Sequence, residues 1–436
     1  MAREMKDSGV EWIREIPKGW EIVKNKYLLK EIYSGGTPTS GNPNFYDENG
    51  IPFVSIGDMK LNNKIYETKR KLTIAGIKDK NLRILNEDTI LYSIYATIGN
   101  VSQLGVKATI SQALLALILN EEKYRKNFYK YNLIALKNFA LSLSNGNTQN
   151  NLNAEIVKNF FLVLASLEEQ EKIANYLDKK IADIDLIIEK TKTTIEDYKK
   201  YKQSIITEAV TKGLNSNVEM KDSGIEWIGQ IPKYWEVAKL KQISYIRARL
   251  GWKGLKAEEY TEEGYMFLSA FNIINSKLNF LETNFINSYR YEESPEIKLK
   301  IDDVLIVKDG AGIGKCACVE YLPQEATING SIALISTYED VKGKFLYYYF
   351  LTKVMQKYVD RLKDGMGVPH LFQRDIKEIR IPFPNIEEQQ QIAEYLDKKV
   401  TEIDNLIAKK ESLISEMEEY KKSLIYECVT GKKEII

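Results

Sequence analysis

The chain has 436 residues, 44% of them hydrophobic and 28% charged, a soluble globular composition that excludes an intrinsically disordered polypeptide. Its 62 basic and 61 acidic side chains leave a formal charge of +1, which excludes a uniformly basic nucleic-acid coat but leaves room for local basic surfaces. Three cysteines exclude a disulfide scaffold and fit a reducing compartment, and any His-ligated metal, Ser-His-Asp triad or Cys-His pair would have to use the single histidine, His370.

The first segment, residues 1–28, is charged where a signal peptide needs an apolar run, and no stretch of 18 apolar residues follows anywhere, so a cytoplasmic protein is expected. Its pattern Met5-Lys6-Asp7-Ser8-Gly9-Val10-Glu11-Trp12-Ile13, with Ile16-Pro17-Lys18 and Trp20-Glu21, returns 215 residues later as Met220 to Ile228, Ile231-Pro232-Lys233 and Trp235-Glu236. Residues 29–166 read as a mixed α+β domain. Short β-branched and aromatic runs such as Ile51 to Ile56 alternate with turn residues, and a helical stretch is expected over 121–142.

Residues 167–213 read as one long helix. Leu177, Ile181, Ile184, Ile188, Thr191, Ile195, Tyr198, Lys202, Ile205 and Ala209 recur by four and three, a heptad seam over about five repeats. Residues 214–243 hold a linker and the second copy of the flank. Residues 244–385 form a second mixed domain, with a strand at Val304 to Val307 and a helical stretch over 343–362. Residues 386–436 carry the second long helix and the C-terminus, with Leu396, Val400, Ile403, Ile407, Lys410, Ile414, Met417, Lys421, Leu424 and Cys428 in the same register as the first. Each helix spans about 65 Å at 1.5 Å per residue. Because the stripes match, each is expected to pair with the other, with Ser166 and Asn385 capping their starts. Glu168-Glu169-Gln170, Ile173-Ala174 and Tyr176-Leu177-Asp178 return as Glu387-Glu388-Gln389, Ile392-Ala393 and Tyr395-Leu396-Asp397. The chain is thus one unit written twice, with differing middles between matching flanks.

No motif in the middles carries catalysis. Asp309 to Lys315 resembles a phosphate loop but has one residue too few between its glycines, and Cys316 stands where Ser or Thr should bind magnesium, so a turn between two strands is expected. Cys316-Ala317-Cys318 is too closely spaced for a zinc knuckle, and its cysteines read as alternating strand residues. The remaining signals fit recognition. Ser34, Gly35, Gly36, Thr37 and Thr39, and the amide-rich run with Asn145, Asn147, Gln149 and Asn150, offer adenine-edge and phosphate contacts; plain turn chemistry is the simpler account of the glycines. The second middle carries Arg247, Arg249, Lys253, Lys363, His370, Gln373 and Arg374 at matching places, and Arg is the commonest reader of guanine. Residues 29–160 hold 16 basic and 11 acidic side chains, whereas residues 244–380 hold 19 of each, so charge favours a nucleic-acid surface only weakly.

The duplicated Lys-Asp-Ser-Gly-x-Glu-Trp-Ile with Ile-Pro-x-x-Trp-Glu, and the duplicated Glu-Glu-Gln-x-x-Ile-Ala-x-Tyr-Leu-Asp-x-Lys, resemble the DNA-specificity subunits of Type I restriction–modification systems over essentially the whole chain. Ser34 to Pro38 also looks like the start of a family target-recognition domain. The second copy departs there, with Ile246-Arg247-Ala248-Arg249, and Leu162 to Ala165 lacks the prolines of Ile381-Pro382-Phe383-Pro384.

The resemblance implies an α+β fold in which two target-recognition domains are separated by two long antiparallel coiled-coil helices with pseudo-twofold symmetry. It implies a non-catalytic subunit without cofactor or metal, whose two readers each recognise half of a bipartite duplex DNA site. The implied partners are two modification (methyltransferase) subunits that bind S-adenosylmethionine and methylate adenine, and restriction subunits using ATP and magnesium. A duplicated coiled-coil scaffold that binds proteins instead of DNA is the alternative.

Overall fold

The computed structural model describes residues 3–39, 41–59, 64–145, 151–250, 255–310, 312–362 and 370–435. The chain divides into two compact units, Met1–Thr191 with Ser412–Ile436, and Lys192–Glu411. This division cuts each long helix in its middle, not at its ends where the sequence reading set its boundaries.

In the first unit a five-stranded sheet runs in the order Leu29–Ser34, Leu114–Leu119, Ile90–Ser93, Val101–Leu104, Lys64–Ile65, antiparallel except for its last pair. The inner strand Leu114–Leu119 is wholly apolar because it is covered on both faces. Beside it, Tyr46–Val54 pairs in parallel with Thr109–Ile110 and antiparallel with Arg70–Leu72. The helical stretch expected over 121–142 is two helices, Lys126–Ala135 and Lys137–Asn145.

The second unit repeats the plan. Ser244–Arg247, Ile332–Thr337, Val304–Val307 and Cys316–Cys318 form an antiparallel sheet, and Asn284–Ile286, Tyr265–Leu268 and Ala326–Ile328 form the smaller one. Here too the expected helix is broken, into Gly343–Phe350 and Lys353–Leu362. Buried Thr352 makes the break. Its hydroxyl donates to the Tyr349 carbonyl (2.9 Å) and accepts from the Met355 N–H (3.2 Å), ending one helix and starting the next. Cys316 and Cys318 are both buried, and burial pushes the Cys316 thiol up to about 12. Among the described residues no helix is long and apolar enough to cross a membrane, and no cluster of three or more His, Cys, Asp or Glu is placed to hold a metal ion.

The repeated motifs are where the pieces join. Ser166 Oγ and Asn385 Oδ1 accept the N–H of Glu169 (3.3 Å) and Glu388 (2.8 Å), capping the helices Leu167–Lys212 and Ile386–Val429 as expected. The Glu169 carboxylate also accepts from Trp20 Nε1 (3.1 Å) and from Arg3. Burial works to raise this carboxyl, but the bonds from Arg3, Trp20 and Ser166 outweigh it and hold it below its ordinary value. In the second unit Glu388 accepts from Trp235 Nε1 (2.9 Å) and Tyr234 (3.0 Å).

Gln170 and Gln389 are fully buried. Gln170 donates to the Ala165 carbonyl (2.8 Å) and accepts the Arg125 N–H (2.7 Å); Gln389 donates to the Pro384 carbonyl (2.9 Å) and accepts the Lys342 N–H (2.9 Å). About two helical turns further on, Asp178 accepts from Tyr131 (2.5 Å) and Asp397 from Tyr348 (2.5 Å). Finally, the strand before each long helix pairs with the flank, Phe161–Leu164 with Glu21–Lys24 and Arg380–Phe383 with Glu236–Lys239.

Along the seam Leu177, Ile181, Ile184, Ile188, Ile195, Leu396, Ile403 and Ile407 are buried, while Val400 and Ile414 are half-buried. Within the first unit Leu177, Ile181, Ile184 and Ile188 share one apolar cluster with Leu424, Ile425 and Cys428 of the other helix. Lys421 Nζ lies 2.5 Å from Asp185 Oδ1 there, and in the second unit Lys202 Nζ lies 2.5 Å from Asp404 Oδ1. Both pairs obey one antiparallel register, since 17 residues forward on the first helix is 17 back on the second. Lys202 and Lys421 are repeat equivalents, as are Asp185 and Asp404, so the pairing is self-complementary, the pattern of an isologous contact.

A fragment of residues 1–215 should therefore form a homodimer, with each Lys202 meeting Asp185 of the other copy. Light scattering should give twice the fragment mass. A soluble monomer would show that the two helices are not interchangeable partners.

Candidate nucleic-acid interface

Strand register places the variable loops of each reader at one end of its larger sheet. In the first unit Ser34 lies opposite Leu115, and Leu114 opposite Ser93. The end of Leu29–Ser34, the start of Leu114–Leu119 and the end of Ile90–Ser93 therefore meet there. From this end emerge the Gly35–Thr39 segment and the turn 94–100, and Leu152 joins them by donating its N–H to the Ile94 carbonyl (3.1 Å). The other end of Leu114–Leu119 leads into Lys123–Arg125, which Gln170 holds. Anchoring and reading thus occupy opposite ends of a six-residue strand, about 20 Å apart.

The Ser-Gly-Gly pattern is required by packing. A β carbon on Gly35 would lie 2.2 Å from the Ile110 carbonyl oxygen, and the Gly36 N–H donates to that same carbonyl (3.2 Å). Ser34 and Thr39 are exposed and Thr37 is half-buried. The turn beside them shows Tyr95, which is exposed, and is braced by Lys137 Nζ donating to Asn100 Oδ1 (2.8 Å). Asn147, Gln149, Asn150 and the side chain of Asn145 lie outside the described residues, as do Lys253 and Lys363 of the second reader.

In the second unit the same end carries a denser arrangement. The Ser331 carbonyl accepts the N–H groups of Lys308 (2.8 Å) and Asp309 (3.3 Å), and Leu371 donates its N–H to the Lys308 carbonyl (2.8 Å). The residues resembling a phosphate loop form a turn between Val304–Val307 and Cys316–Cys318, with φ of 84° at Gly310 and 89° at Gly314. His370 donates from Nδ1–H to Asp309 Oδ1 (2.8 Å), and its side chain is about half exposed. Its ring stacks on Phe372 (6.2 Å between centroids), and the Arg374 guanidinium lies over the Phe372 ring, 4.6 Å from its centroid. Phe372 is 40% exposed and the Arg374 side chain 75% exposed. Gln373, half-buried, begins the short helix Gln373–Glu378. The Arg374 guanidinium also pairs with Asp375 (3.7 Å). A fixed imidazole, an aromatic face and an exposed guanidinium are the groups that stack on bases and read guanine O6 and N7.

Arg247, which ends the first strand, and Arg249, two residues beyond it, are placed differently. Arg247, half-buried, lies over the Tyr245 ring (4.9 Å) and donates to Ser336, whose hydroxyl donates to Asp303 (2.5 Å). Burial raises the Asp303 carboxyl above its ordinary value, against the bonds from Ser336 and the Lys300 N–H. Arg249 is only 5% exposed. Its Nε–H donates to the Ile328 carbonyl (3.2 Å), and its guanidinium lies 5.3 Å from the Phe267 ring centroid. The expectation that Arg249 faces DNA is corrected: it is a core side chain. Ile328 occupies in its small sheet the place of Ile110 in the first, so the carbonyl that Gly36 serves in one reader is served by Arg249 in the other.

Sequence reasoning missed Phe372 and Asp309 as site residues. The available signal was closeness in sequence: His370, Phe372 and Arg374 lie within five residues. In the sequence Asp309 stands only as the first residue of the phosphate-loop-like stretch.

A family model described as the Type I restriction modification DNA specificity domain matches residues 17–197 and again 232–415. The MjaVIII specificity subunit of a type I restriction enzyme from Methanocaldococcus jannaschii is 27% identical over 426 residues, 96% of this chain and 93% of that protein. The EcoBI specificity subunit from Escherichia coli is 23% identical over 84% of this chain and 78% of its own length. Among solved structures, a chain from a study of complex assembly and conformational transition of the type I R-M system superposes with a TM-score of 0.75 at 15% identity, covering 96% of this chain and 99% of that one. The HsdS subunit from Thermoanaerobacter tengcongensis gives 0.56 at 16% identity, over 96% and 98% of the two chains.

Replacing Arg249 with alanine should destabilise the chain by about 1–3 kcal/mol, because it removes a buried donor from the Ile328 carbonyl. Arg374→Ala, at an exposed position, should stay within about 0.5 kcal/mol. Denaturant unfolding of both variants checks this; equal, small shifts would mean Arg249 is not a core residue.

Proposed function

Because the chain belongs to the Type I restriction modification DNA specificity domain family, we propose that its two readers each recognise one half of a bipartite, asymmetric duplex site. The chain is the DNA-recognition subunit of such a system. The observation that carries the finer reading is the combination of matching anchors with unlike reading ends: Gly35, Gly36 and the Tyr95 turn in one unit, Asp309, His370, Phe372 and Arg374 in the other. Identical anchors suit identical partner subunits, and unlike ends suit unlike half-sites.

In this reading Arg374 reads a guanine edge in the second half-site, with Phe372 and His370 as its platform. Ser34, Thr37 and Thr39 contact the first half-site. The chain supplies no catalysis. Two modification subunits bind S-adenosylmethionine and methylate adenine on either side, restriction subunits use ATP and magnesium, and the complex works in the cytoplasm. The protein-scaffold alternative lacks a supporting observation, since the differences between the units concentrate at the ends that carry the aromatic and basic side chains.

Methylome mapping of cells with and without this gene should show one motif with two unlike half-sites separated by a fixed gap. A continuous or palindromic motif would contradict the assignment of one half-site per reader.

The length of the helices Leu167–Lys212 and Ile386–Val429 should set that gap and leave the half-site bases alone. One heptad inserted near Thr191–Thr194 and a matching one near Lys410–Leu413 keep the seam in phase. Seven residues add about 10 Å, or about three base-pair steps. Because duplex turns once in about 10.5 base pairs, part of the added length goes into following the groove, and the expected growth is about one to three base pairs. An active variant with an unchanged gap, or with altered half-site bases, would show that the helices are not the ruler.

A further inference from the structure

The first reader's excess of positive charge is concentrated beside its reading segment. Residues 29–160 hold 16 basic and 11 acidic side chains, a surplus of five. Five of those basic residues and one of the acidic ones fall within 69–80: Lys69, Arg70, Lys71, Lys78 and Lys80 against Asp79. That short stretch carries a surplus of four, nearly all of the excess. The second reader has the same elements in the same register. Phe53 lies opposite Arg70 and Ile51 opposite Leu72, as Phe267 lies opposite Asn284 and Tyr265 opposite Ile286. A short helix follows each strand, capped by Thr73 in one and Asn287 in the other. Yet the equivalent stretch, 283–294, has one basic residue, Arg290, against Glu292 and Glu293. Arg290 is engaged by Glu259 (3.0 Å) and Glu293 (2.6 Å).

Two of the first reader's cations touch the reading segment itself. Arg70 lies over the rings of Phe53 (5.3 Å) and Tyr46 (5.9 Å). Tyr46 in turn donates its hydroxyl proton to the Pro38 carbonyl (3.2 Å), between Thr37 and Thr39. Lys80 packs its stem on Gly36, where a β carbon would lie 3.3 Å from the Lys80 Cβ. Arg70 is exposed and the Lys80 side chain half-exposed. Asp47 and Glu48 line the hollow beside Arg70, but among the described residues Arg70 forms no ion pair. Lys80 meets its neighbour Asp79 at 3.9 Å, too long for a strong bond. A guanidinium laid on aromatic rings keeps its N–H edge available to an anion.

We propose that Arg70 and Lys80 grip backbone phosphates of the first half-site and so set the Ser34–Thr39 segment against its base edges. This rests on the reading that the first unit binds DNA. Phosphate contacts fix register and orientation without carrying sequence information. Ser34, Thr37 and Thr39 are uncharged and supply no such hold, whereas the cations in contact with their segment suit a polyanionic backbone. In the second reader this strand and helix are net acidic, so the grip they provide belongs to the first half-site alone.

The test measures gel shift of the duplex defined by methylome mapping, by the full chain with its modification subunits, over a range of salt concentrations. Arg70→Gln with Lys80→Gln should weaken binding by about tenfold or more at low salt. The plot of log K against log salt should become shallower by about two, since each phosphate contact contributes about 0.9 to its slope. Arg70→Lys with Lys80→Arg should keep the slope, and the methylated motif should be the same for both variants. Thermal unfolding of the glutamine variant should be unchanged, as neither charge is buried. If the unaltered complex fails to shift the duplex, the DNA-binding reading itself fails. If it shifts the duplex but the glutamine variant keeps the original slope, the phosphate proposal alone is overturned. A changed base in the first half-site of the glutamine variant's motif would also overturn it, by making Arg70 or Lys80 a base reader.

Discussion

A buried carboxamide at the first turn of each long helix holds the molecule's parts in place. Gln170 and Gln389 are each enclosed, and each ties the helix start to the strand before it and to the segment that leads into the reader's own helices. An apolar residue there would leave a buried carbonyl and a buried N–H without partners, which costs more than the bonds themselves contribute. The neighbouring carboxylates, Glu169 and Glu388, bring in the flank through Trp20 and Trp235. Three segments distant in sequence converge on two adjacent side chains. That is why Trp-Glu in the flank and Glu-Glu-Gln at the helix start repeat together, and why the differing middles still dock identically.

The position of this joint gives the readers their freedom to differ. It grips the far end of an inner strand, Leu114–Leu119 or Ile332–Thr337, and the loops that differ leave from the near end. Changes at the near end are therefore not transmitted to the joint. The Gly35–Arg249 exchange shows how far such change goes. One reader brings its backbone against the Ile110 carbonyl by omitting a side chain; the other fills the equivalent space with a guanidinium and serves the Ile328 carbonyl with it. The hydrogen-bond requirement is the same, and the loops that meet it are unlike.

Much of this was legible in the sequence, for physical reasons. The heptad stripe and the caps at Ser166 and Asn385 are local signals, set by helix geometry alone. The duplication is visible because the joint tolerates little change. The breaks within the two expected reader helices were not legible: the second turns on whether Thr352 is buried and bonded back to Tyr349, which depends on tertiary packing. Arg249 was misread for a related reason. A basic residue in a variable loop usually faces solvent, and only the missing Gly-Gly pair hinted that something had to fill its space. Phe372 and Asp309 escaped because their significance lies in a contact between residues 61 positions apart, His370 to Asp309.

The seam itself carries a further constraint. Lysines at Lys202 and Lys421 weaken an apolar interface, and the half-exposed ion pairs they make add little stability. What a polar group in a coiled-coil seam does supply is discrimination between registers. Sliding one helix by a heptad keeps apolar residues facing apolar residues but moves both lysines away from their aspartates. The two pairs also use equivalent residues in exchanged roles, so a single sequence written twice satisfies both at once. A register device built this way serves two identical copies as well as one duplicated chain. The antiparallel pairing is therefore intelligible as an interface between equals that the tandem repeat has joined into one polypeptide.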